Sequence, residues 1–190
     1  MGTAALPLLP NDVFGLLQQA HKDLPITRAL KTLNPHQDAT ITTLAEWIIP
    51  QTSTPGAKAV RVNEFIDLIL SEWMDEENRS GFLSGLADVD VQSRALFGKD
   101  FVDCTTAEQK QMLTVFDEEL TELRESERLG ARRRRTRMPM DKSFFRGMKQ
   151  LTLVGYFTSE EGAKQALHYE IIPSQHVQCA PMPEEEEAAK

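Results

Sequence analysis

The chain has only two cysteines in 190 residues, Cys104 and Cys179, and neither belongs to a C-x-x-C pair or a Cys/His cluster. A structural zinc site needs four thiolates or imidazoles at short spacings, and no such set is present. No C-x-x-C-H occurs, so no c-type haem is attached to this chain. No G-x-G-x-x-G occurs either, so the usual turn that brings a dinucleotide pyrophosphate onto a helix N-terminus is missing. The four histidines, His21, His36, His168 and His176, lack metal-ligand spacing, and no Ser or Cys nucleophile stands recognisably beside a base. Groups distant in sequence can still converge, so this is a missing signal and not an exclusion.

Long apolar runs are also missing. A membrane-spanning helix needs about 18 consecutive apolar residues, and none exists. No Lys or Arg precedes the short apolar stretch Ala4 to Leu9, so a full secretory leader is not expected. That stretch reads either as the tail of a longer signal or as an ordinary mature N-terminus. Positive charge is in the minority: the formal net charge is −8, of which the last seven residues supply −3. An acidic body argues against nucleic acid as a partner, because that affinity comes mostly from neutralising phosphates. The acidity instead favours solubility.

What is present is helical periodicity. The hydrophobic share of 41% is enough for a substantial core. Asn11 or Asp12 is placed to cap a short helix through Ala20. Thr40 precedes Ile41, Leu44, Ala45, Ile48 and Ile49, one stripe of a helix that Pro50 ends. Gln51 to Gly56 reads as a loop punctuated by Pro55-Gly56. Val62, Phe65, Ile66, Ile69, Leu70 and Trp73 form a second, cleaner stripe. Asp75 or Asn78 is expected to start a helix carrying Phe82, Leu83 and Leu86, with a restart at Asp90 and a left-handed cap at Gly98. Thr105-x-x-Glu108 has capping-box spacing ahead of a third stripe, Met112, Val115, Phe116, Leu120 and Leu123. Phe144 to Gly162, FFRGMKQLTLVGYFTSEEG, has the apolar content of a buried helix, closed by a Gly-aromatic corner. Thr158-x-x-Glu161 repeats the capping signal behind it. No segment sustains period-two alternation, so the expected fold is all-α: an irregular bundle of about six to eight helices. Residues 1–37 read as an N-terminal extension with a short helix, 38–172 as the helical domain and 173–190 as an extended acidic tail. Glu125 to Met138, with its basic run Arg132 to Arg137, reads as a mobile interhelical loop.

Phe144 to Gly162, LAEWIIPQTSTPGA (Leu44 to Ala57) and VNEFIDLILSEW (Val62 to Trp73) together resemble the gluconate 2-dehydrogenase subunit 3 family. These are small subunits of bacterial flavin-dependent sugar and glycoside dehydrogenases, and the resemblance runs from about Asp38 to Tyr169. It implies a non-catalytic chain without a cofactor of its own. Its partner would be a large FAD-binding subunit of the glucose-methanol-choline oxidoreductase type. Haem c would sit in a third subunit or a separate cytochrome c that takes the electrons. It also implies a periplasmic location reached by twin-arginine export, although this sequence lacks a complete signal, which puts its own export role in doubt. The family role is stabilisation and assisted maturation of the flavoprotein.

Several readings stay open on the residues alone. In an exported protein Cys104 and Cys179 form a disulfide; in a cytosolic one they are two buried thiols. The basic run is either a solvated loop or a dock for an acidic patch on a partner, with nucleic acid a distant third. Gly147 and Gly155 lie on one helix face and admit a close neighbour, within the chain or from a partner. Trp47 and Trp73 are either core or interface. A partner surface is expected at Trp47, Pro50, Pro55, Gly56, Tyr156, Phe157, Tyr169, Ile171, Ile172 and Met182. The alternatives from other classes are a cytosolic helical adaptor and an independent enzyme with an unrecognised site.

Overall fold

A computed structural model describes residues 29–130 and 144–169. Helix α1 spans Pro35–Ile48 and α2 Val62–Leu68, which continues directly into a π turn, Ile69–Trp73. Helix α3 spans Glu76–Phe97, and a 3-10 turn at Phe101–Asp103 leads to α4, Thr106–Gly130. Helix α5 spans Phe144–Thr158, followed by a second π turn, Gly162–Ala166. The described residues contain no strand, in keeping with the all-α expectation.

Helix α5 is the hub, packing against α1, α2, α3 and α4. Its inner face carries Phe145, Met148, Thr152, Gly155 and Tyr156. The close neighbour at Gly155 is intrachain: a Cβ there would lie 2.7 Å from Cδ1 of Phe65, whose ring is fully buried. Phe144, expected in the core, is half-buried and packs its ring against Phe82 at a centroid distance of 5.0 Å.

Most expected boundaries match. Ile49 caps α1 before Pro50, Asp75 caps α3 by accepting from the Asn78 N–H, and Gly98 ends α3 with φ 73°. In the capping box ahead of α4, the Thr105 N–H donates to Glu108 Oε2 at 2.7 Å.

Five expectations are corrected. Helix α1 starts before Thr40, because Asn34 and Gln37 form a reciprocal capping box with Pro35 in the first turn. Asp90 does not restart α3; it is buried within a continuous 22-residue helix, where it caps the following turn. Helix α4 runs on to Gly130, into the expected loop, since Glu, Leu and Arg there are good helix formers. Thr158 is not the cap after the aromatic corner: its hydroxyl donates back to the Val154 carbonyl, and Ser159 Oγ accepts from the Gly162 N–H. Trp73 leaves the core stripe and is 50% exposed. The Met74 N–H reaches back five residues to the Ile69 carbonyl, and this wider turn makes Trp73 lag behind the apolar face.

The helix expected through Ala20, the basic run and the acidic tail lie outside the described residues.

Candidate functional site

The segment linking α1 to α2 is a surface loop held from several sides. Glu46, on the last turn of α1, accepts from the Gln51 N–H with one carboxylate oxygen and from the Lys58 N–H with the other, each at 2.9 Å. The Ala57 N–H donates to the Ile49 carbonyl at 2.9 Å, closing the loop at its base. From the far side of the chain, the Tyr156 hydroxyl donates to the Pro55 carbonyl at 2.8 Å. Gly56 is required beneath Glu46, since a Cβ there would lie 2.4 Å from its Oε1. Free carboxylates are not the currency of this region; the charge of Glu46 is committed to two backbone amides.

Beside the loop lies an open cleft of about 390 Å³, lined by Thr42, Thr43, Glu46, Trp47, Pro50, Lys58, Thr106 and Gln109. Trp47 is half-buried, and its indole N–H donates to Gln109 Oε1 at 2.9 Å. The Gln109 amide in turn donates to the Phe101 carbonyl at 3.0 Å. This chain of bonds fixes the orientation of the indole.

The structure separates the residues expected at a partner surface. Trp47 and Pro50 line the cleft, and Pro55 stands half-buried nearby. Gly56 and Tyr156 are buried, and their contacts are intrachain. Phe157 is half-buried, its ring edge-on to Tyr156 at 5.2 Å. Tyr169 is exposed, with its N–H on the Ala163 carbonyl. Ile171, Ile172 and Met182 fall outside the described residues. Cys104 is buried and free among the described residues, its sulfur 3.1 Å from the Ser93 hydroxyl; Cys179, the other half of the possible disulfide, also falls outside them.

Sequence reasoning missed two buried carboxylates. Asp67, 1% exposed, accepts from the N–H groups of Lys31, Thr32 and Leu33 at 2.8 to 2.9 Å. Asp90 accepts from the Phe101 N–H at 3.0 Å and lies 2.7 Å from His36 Nε2. Neither pairing leaves a local spacing that would reveal it. Glu108, on the capping box, is held well below the usual carboxylate range, at about 2, first by the Lys99 ammonium and then by the Thr105 N–H and hydroxyl. Among the described residues no group of three or more His, Cys, Asp or Glu is arranged to hold a metal ion. No described helix is long and apolar enough to cross a membrane.

The family model described as Gluconate 2-dehydrogenase subunit 3 matches residues 35–173. The chain belongs to that family, and so to the subunits of multi-subunit dehydrogenases. Neither a curated protein nor a solved structure shows significant similarity to it.

Proposed function

We propose that this member of the subunit 3 family is the non-catalytic small subunit of an FAD-dependent sugar, glycoside or gluconate-type dehydrogenase. Its role is to hold the FAD-bearing catalytic subunit in its folded, flavin-loaded form and to assist its maturation and export to the periplasm. The observation that carries this reading is the family match over residues 35–173. The side-chain chemistry supports it. Asp67 and Glu46 are each committed to backbone N–H groups, Asp90 to the Phe101 N–H and the His36 ring, and Glu108 to a helix cap. Carboxylates bonded in this way act as anchors for the chain.

The physical means is mass action. A subunit that binds only the folded partner stabilises it by about 2.7 kcal/mol at 100 times the dissociation constant. In the proposed assembly the flavin belongs to a large glucose-methanol-choline-type subunit, and a cytochrome c takes the electrons.

Co-production of a large FAD-binding subunit of the glucose-methanol-choline type from the same source, with and without this chain, tests the reading. The small subunit should raise the flavoprotein's melting temperature and its bound FAD per chain, while the small subunit alone should reduce no artificial acceptor with sugar. A flavoprotein with unchanged stability, flavin content and location in its absence would refute the reading. Sugar turnover by the isolated small subunit would refute it as well.

A further inference from the structure

No further inference is drawn: the strongest candidate, the open acidic groove along α4 lined by Thr114, Asp117, Glu118, Thr121 and Glu122, is a surface cluster with no second feature pointing to a ligand, and nothing among the described residues shows what covers it.

Discussion

The hydroxyl of Tyr156 donates to the carbonyl oxygen of Pro55 at 2.8 Å, tying the hub helix α5 to the loop that borders the Trp47 cleft. The two residues are 101 positions apart, and the tyrosine is 1% exposed. A Tyr156→Phe variant keeps the ring and its packing and deletes only this bond. It should lose about 1 kcal/mol of stability, the net value of one hydrogen bond between neutral groups. The loop should also loosen, so the Ala57 N–H on the Ile49 carbonyl should exchange faster with deuterium. Unchanged exchange at Ala57 would show that Glu46 alone holds the loop.

The buried Asp67 ties the chain entering α1 to α2 through three amides. Asp67→Ala strands all three N–H groups and should cost at least about 3 kcal/mol in urea unfolding. Asp67→Asn retains one acceptor oxygen but turns an NH₂ group toward the amides, so its cost should approach that of alanine. If Asp67→Ala unfolded at the parent's urea midpoint, residues 31–33 would owe their position to other contacts.

How much of this was readable from the sequence depends on the range of each interaction. The Thr105–Glu108 box, the Asp75 cap and the Gly98 terminus each involve residues within one helical turn, so the letters alone reveal them. The Asn34–Gln37 box was equally local, but the apolar stripe beginning at Ile41 drew the boundary too late. The Tyr156–Pro55 and His36–Asp90 pairs span 101 and 54 positions, and no periodicity encodes which polar groups meet once the helices pack. The π turn at Ile69–Trp73 is set by packing as well, and for that reason Trp73 was misplaced while Val62, Phe65 and Ile66 were not. In the candidate site, Trp47 and Pro50 stood out as an aromatic and a helix stop. Gln109, which orients the indole, is one more polar residue on a helix until its partner is known.

Thr152, at the centre of α5, is fully buried, and its hydroxyl has no hydrogen-bond partner among the described residues. Such a group gives up its bonds to water without compensation. Thr152→Val replaces the hydroxyl with a methyl of similar size and should leave stability unchanged or raise it by up to about 1 kcal/mol. Thermal unfolding decides the point. A clear loss would mean that the hydroxyl is paired in solution, with water as the simplest partner.

Glu108 sets an acid limit on the N-terminus of α4. Its carboxyl is lowered from 4.5 to about 2, chiefly by the Lys99 ammonium at 2.8 Å and then by the N–H and hydroxyl of Thr105. A carboxyl whose folded pKa lies below its unfolded value contributes stability in full above the unfolded value. That contribution is lost as pH falls through the folded one, so the window here runs from about 4.5 down to about 2. Carbon-detected NMR of the Glu108 carboxyl should therefore show a midpoint near the lower figure. Lys99→Met should move the midpoint up, because the largest cause is removed, and Thr105→Ala should move it up by less, since its backbone N–H remains. A parent midpoint near 4.5 would mean that neither the Lys99 pair nor the Thr105 bonds hold the Glu108 carboxylate in solution.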